Sequence, residues 1–301
     1  MPNAKSGPSP TVRRFELANR LRQLRTANGR SPEDVAKELA CSTSKITRIE
    51  KGERLPTPLD LKVLGYYYGL TEAQRNELQA LAADARRRGW WHDFRALEDQ
   101  AQIFYGLEAA ASAEDVLSAN VVTGLLQTEA YTRSLVPRLK VPKYWSTEGL
   151  EQLIEARTRR QQRILNGEMH LRAVLDESVL SREIGPPPLM TELLAHLIEL
   201  SDLPNVELQI IPLQVGAHPG LEGSFVILRF EGGVPGDVVH TEHLSNIGMQ
   251  RAEDRPEEIA MVREVHEHLR GVAMTPAETK IWLQKKLRRP RPRSNPRTIT
   301  A

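Results

Sequence analysis

Residues 31–52, SPEDVAKELACSTSKITRIEKG, decide the reading of this chain. They spell two short helices joined by a tight turn. Ser31 is placed to cap the first, Pro32 takes the first helical position, and Asp34 follows the cap by three residues. Val35, Ala36 and Leu39 form an inner stripe, and the small Ala36 suits two helices that cross closely. Ser42 caps the second helix, and Gly52 ends it with a residue that tolerates a left-handed backbone. At the helical period Ile46 and Ile49 point inward. Ser44, Thr47, Arg48 and Lys51 point outward, and Thr43 and Lys45 lie near the helix start.

That outward face has the chemistry of a nucleic-acid reader. An arginine forks onto the two acceptors of guanine, while Ser and Thr hydroxyls bond several base edges or phosphates. The helix N-terminus itself favours a phosphate. Two helices in this arrangement form the helix-turn-helix layout, whose second helix enters the major groove. The alternative is a five-helix interaction domain over 14–70 that makes no DNA contact.

With the flanking LANRLRQLRTANGR and ERLPTPLDLKVLGYYYGL, the segment resembles the Cro/phage-repressor (XRE) class over residues 14–70. The resemblance implies that Thr43, Ser44, Lys45 and Arg48 face bases and that Ser42 and Lys51 hold phosphates. It implies an ion pair between Arg25 and Glu50 that ties the first helix to the recognition helix. Two positions depart from the pattern. Pro32 stands where many members have Gln, and Ala40 stands where many have Gly, in a turn that favours a left-handed residue.

Composition places the rest. With 40% hydrophobic and 27% charged residues the chain is ordinary globular material, and 301 residues suit two domains. No apolar run approaches the ~20 residues that span a bilayer, and MPNAKSGPSP lacks the apolar core of a signal peptide. A cytoplasmic, nucleoid-associated protein is expected. One cysteine, Cys41, excludes an intrachain disulfide and reads as a packed thiol, with a redox switch as the alternative. The net charge of +2 hides an asymmetry: residues 1–70 balance at +6, 71–279 at −12 and 280–301 at +8. The basic head suits phosphate contact. The acidic middle suits a protein partner, a small ligand or self-association.

Thr71 and Gln74 make a capping box for a helix over 71–88, with Arg86–Arg88 as its solvated end or as a second DNA contact. Trp90, Trp91, Phe94, Phe104 and Tyr105 form either core packing or a ligand-stacking platform. From 107 to 165 the pattern reads as helical. Arg157, Arg159, Arg160 and Arg163 on its last helix would pair with acids or bind an anion. After 168 the runs LRAVLDE, VELQIIPL, GSFVILRF and DVVHTEH read as strands, and helices follow at 254–271 and 276–288. This second half is similar to the WhiJ-like actinobacterial regulators, through YGLEAAASAEDVLSANVVTGLLQTEAYTR, ARTRRQQRIL, LRAVLDESVLSREIG and VVHTEH. Thr123 replaces the proline usual in the family's VPGLLQT motif. That resemblance implies a small BldB-like protein as partner or antagonist and supplies no catalytic residue.

No HExxH, CxxC, GxSxG or P-loop occurs. His240 and Glu242 share one strand face while His243 takes the other, and His266 and His268 diverge on a helix, so neither set suggests a metal. Asp176, Glu177, His218 and Glu242 are the candidate pocket residues, at one end of the sheet. The expected fold class is α+β: an all-α five-helix head followed by a larger mixed α/β domain with a small sheet. The expected segments are a disordered lead-in at 1–12, a helix-turn-helix domain at 13–70, and a helical linker at 71–106. A regulatory or partner-binding domain at 107–288 and a basic disordered tail at 289–301 complete the chain. The expected partners are double-stranded DNA and a second copy of the chain, with no membrane, no metal, no cofactor and no catalytic activity. A DNA-binding head fused to an enzyme, and an antitoxin-like adaptor that mainly binds a small cognate protein, are the alternatives.

Overall fold

The computed structural model describes residues 9–139, 146–233, 236–243, 246–251 and 255–288; the tail at 289–301 lies outside the described residues. The chain divides into two compact units, Met1–Glu114 with Ile227–Val262, and Asp115–Val226 with Arg263–Ala301.

The first unit opens on a helical head: α1 (Pro10–Ala27), α2 (Pro32–Glu38), α3 (Thr43–Glu50), α4 (Pro58–Tyr67) and α5 (Glu72–Ala85). Each boundary has its cause in the sequence. The Ser31 hydroxyl accepts from the Asp34 N–H while the Asp34 carboxylate accepts from the Ser31 N–H, closing a capping box. Thr57 with Asp60 and Thr71 with Gln74 repeat the device on α4 and α5. Leu17, Leu21, Val35, Ile46, Ile49, Leu61, Leu64, Leu78 and Ala82 form one core, and half-buried Cys41 packs against it. The thiol is a packed side chain, as expected.

Two boundaries of the head differ from the sequence expectation. Helix α1 starts at Pro10 with Ser9 as its cap, and Thr11 and Val12 are buried, so only residues 1–8 of the expected lead-in lie outside the described residues. Helix α5, expected in a linker, contributes Leu78 and Ala82 to the head's core and is its fifth helix. A solvated face of Glu, Gln and Arg hides that role in sequence, because only one stripe of the helix is apolar.

Within the same unit, α6 (Asp99–Glu108) packs beside the start of α1, where the Ser9 hydroxyl donates to the Gly106 carbonyl. A Cβ on Gly106 would lie 2.0 Å from Thr11 Oγ1, so glycine permits the approach. The aromatic cluster is packing: Trp90 meets Trp91 and Phe94 edge-on at 5.8 and 5.7 Å and stacks on Tyr105 at 6.1 Å.

Six strands, β1 (Ala113–Ser118), β2 (His170–Asp176), β3 (Val206–Ile211), β4 (Phe225–Arg229), β5 (Val238–His243) and β6 (Asn246–Arg251), follow the sheet order β3-β2-β1-β4-β5-β6. β2 and β3 run parallel, with Leu171 opposite Val206 and Asp176 opposite Ile211. The apolar helix α10 (Pro187–Leu200) makes their crossover. β5 and β6 are antiparallel, with His240 opposite Met249. The remaining helices are α7 (Glu129–Leu139), α8 (Thr147–Leu165), α9 (Glu177–Ser181), α11 (Pro256–Val272) and α12 (Pro276–Arg288). Thr275 caps α12 through reciprocal bonds with Glu278.

The α+β class is as expected, and β1 is a correction. Residues 113–118, AEDVLS, read as part of a helical stretch but form a strand whose Glu114 and Asp115 are fully buried. Arg172 on β2 explains the buried acid: its guanidinium forks onto Asp115 at 2.6 and 2.5 Å and reaches Glu267 on α11 at 2.8 Å. Tertiary pairing therefore overrides the local pattern. β6 is likewise a strand that no alternation in NIGMQR announces.

Candidate nucleic-acid interface

Ser42 caps α3 by accepting from the Lys45 N–H, and Gly52 closes it in the left-handed region at φ 72°. Ile46 and Ile49 are buried, and Ser44, Thr47, Arg48 and Lys51 are exposed on the opposite side. Thr43 is half-buried, and its carbonyl accepts from the Thr47 hydroxyl at 3.2 Å. The Arg48 guanidinium stays 54% exposed, with only a loose 3.7 Å approach to Glu53. It is therefore free to reorient toward a base edge.

The turn before α3 carries Ala40 at φ 46°, the one non-glycine residue with positive φ among the described residues. The left-handed position that the family resemblance implied is present, and alanine bears its steric cost there.

Arg25 donates from Nε to Glu50 Oε1 at 2.7 Å and from Nη2 to Oε2 at 3.0 Å, and its third nitrogen donates to the Arg30 carbonyl. The Glu50 hydrogen bonds raise the guanidinium above its ordinary range. This pair holds the end of α3 to the end of α1.

Lys45 is placed differently from its expected base-facing role. Its ammonium donates to Asp60 Oδ1 at 2.8 Å, with the two side chains 18% and 9% exposed. Burial pushes Asp60 up, but the Lys45 and Thr57 hydrogen bonds outweigh it, and the carboxyl lies below its ordinary range. The capping box of Thr57 with Asp60 is what places this carboxylate in the first turn of α4. Of the arginines after α5, Arg86 donates to the Ala82 and Pro56 carbonyls and is structural, while Arg87 and Arg88 are exposed.

In the second unit, His218 Nε2 and Asp176 Oδ2 stand 3.1 Å apart with both side chains buried, and Glu177 accepts from the Leu213 N–H. These three candidate residues thus lie together, anchoring the loop after β3. Glu242 lies on β5 in the first unit, and its side chain lies outside the described residues, as does that of His243. His240 stacks on Phe104 at 4.3 Å. Among the described residues no group of three His, Cys, Asp or Glu side chains is placed to hold a metal ion.

Arg157 of α8 serves packing. It donates to Gln127 and Thr132, and Gln161 donates to the Gly124 and Gln127 carbonyls. The Val122–Thr128 motif is thereby clamped onto α8, a role its sequence does not disclose. Among the described residues no helix is long and apolar enough to cross a membrane.

Two family models match the chain. Residues 16–78 match a helix-turn-helix domain, taking in α5 up to Leu78, and residues 101–285 match the Domain of unknown function (DUF5753). No curated protein and no solved structure matches. The chain belongs to the DUF5753 family and carries the helix-turn-helix domain of a DNA-binding regulator ahead of that domain.

Proposed function

We propose that the protein is a sequence-specific transcriptional regulator of the XRE class and WhiJ-like type, acting in the cytoplasm on the nucleoid. The observation that carries the reading is the split face of α3, apolar where it meets the head and presenting Ser44, Thr47, Arg48 and Lys51 outward. It binds as a homodimer, because one recognition helix reads too few base pairs and paired half-sites lie about 34 Å apart. The DUF5753 domain senses a small protein partner, of the BldB-like kind, or a ligand, and shifts DNA affinity. No catalytic step is assigned to it.

Immunoprecipitation of the tagged protein across the genome, comparing wild type with Arg48→Ala, tests this reading. Sharp wild-type peaks that share an inverted repeat and vanish in the variant support it. Peaks indifferent to the substitution, or no enrichment, sink it.

A second reading, an adaptor whose main task is to hold a small cognate protein, draws on one observation. The loop after β3 exposes Leu213, Val215 and Leu221 at 54%, 36% and 62%. Apolar side chains gathered on a pinned loop suit a protein surface. Co-purification from the native cell separates this reading from the first.

A further inference from the structure

Lys45 sits in the first turn of α3, the turn that a helix-turn-helix domain brings nearest to DNA. A free ammonium there would be a phosphate binder with no sequence preference. It is not free. Asp60 Oδ1 accepts from its Nζ at 2.8 Å, while Asp60 Oδ2 accepts from the Thr57 N–H at 2.9 Å. The carboxylate is engaged on both oxygens and buried to 7% exposure. Its place in the first turn of α4 stabilises the negative charge further through the helix dipole. Releasing Lys45 to a phosphate would leave that buried carboxylate without its counter-charge, which strongly opposes release.

The structure assigns to Asp60 a part in DNA specificity: it withholds the Lys45 ammonium from the phosphate backbone, leaving recognition to Arg48 and the hydroxyls of α3. The inference rests on the DNA-binding reading above and deepens it. Asp60 acts through Lys45 and is a positioning residue. Neutralising it frees a cation that binds every sequence equally, so affinity for random DNA rises and discrimination falls.

The test measures binding of the full-length protein to two short duplexes, one random and one enriched by in-vitro selection with the wild type, across a salt series. Asp60→Asn keeps an amide oxygen for the Thr57 N–H and releases Lys45. The expected result is a salt slope steeper by about 0.9, equivalent to about twofold extra loss of affinity for each doubling of salt. The ratio of selected to random affinity should fall with it. The double variant Asp60→Asn with Lys45→Gln carries a neutral pair and should return the slope to the wild-type value. An unchanged slope in folded Asp60→Asn overturns the inference. So does a double variant shallower than wild type by about 0.9, which would mean that Lys45 already holds a phosphate; this second comparison decides even if Asp60→Asn fails to fold. Wild-type protein that binds neither duplex overturns the DNA-binding reading itself, an outcome distinct from both.

Discussion

Arg25 and Glu50 are joined by two parallel hydrogen bonds of 2.7 and 3.0 Å, and through them the last turn of α1 holds the last turn of α3. Both side chains are largely buried, at 13% and 9% exposure. The fork fixes orientation as well as distance, so the recognition helix is presented on a rigid mount rather than on a flexible loop.

Arg25→Ala leaves the Glu50 carboxylate buried without its partner. The expected loss is about 2–3 kcal/mol in urea unfolding. Arg25→Lys should recover less than half of it, because an ammonium cannot supply the fork. Full recovery by lysine would show that charge alone matters there.

Arg48→Ala should narrow the gap between selected and random DNA by about 1–3 kcal/mol, the worth of a bidentate base contact. Lys51→Ala should weaken both duplexes alike and flatten the salt slope by about 0.9. Equal losses on both duplexes for Arg48→Ala would remove its base-reading role. Binding titrations at two salt concentrations decide both points.

Ala40→Gly should stabilise the protein by about 1 kcal/mol. Alanine at φ 46° carries the left-handed penalty that glycine lacks, and the gain exceeds what glycine's extra chain entropy takes back. A thermal melt that is unchanged or lower would show that the turn is not strained.

Acid should destabilise the second unit through buried His266 and half-buried His196. Burial pushes both His266 and His196 below their ordinary value of 6.5. Neither nitrogen of the His266 ring has a hydrogen-bond partner among the described residues. Asp115 and Glu267 nearby pull its pKa up, and Arg172 and Arg270 push it down. The folded state therefore binds fewer protons than the unfolded state. The stabilisation is complete above the ordinary histidine pKa and is lost as pH falls through and below it. Glu267 and Asp60 shift below their ordinary carboxylate values, so their losses begin only in stronger acid. Melting temperature should fall from pH 7.5 toward about pH 5.5, and His266→Leu should flatten that fall. A slope identical in the variant would acquit His266.

Local sequence determined the head almost entirely. Caps at Ser31, Ser42 and Thr71 and the stripe of Val35, Ile46 and Ile49 are short-range signals, whereas the left-handed position at Ala40 came only through the family resemblance. Each of those short-range signals depends on residues within one or two helical turns, so each was legible before any fold was known. The strands at 170–176, 206–211 and 225–229 were legible too, from dense β-branched and leucine runs between turn residues.

Tertiary structure alone decided three matters. Residues 113–118 became a strand because Arg172, 57 positions away, supplies the charge that lets Asp115 be buried. Helix α5 joined the head because its one apolar stripe finds the core there, which a solvated helix elsewhere would not. Lys45 pairs with Asp60 because an ammonium takes the carboxylate within its reach, and only the placement of α4 brings that carboxylate to 2.8 Å. Sequence spacing reports which residues share a helix face; it carries no record of the charge that another helix places beside them.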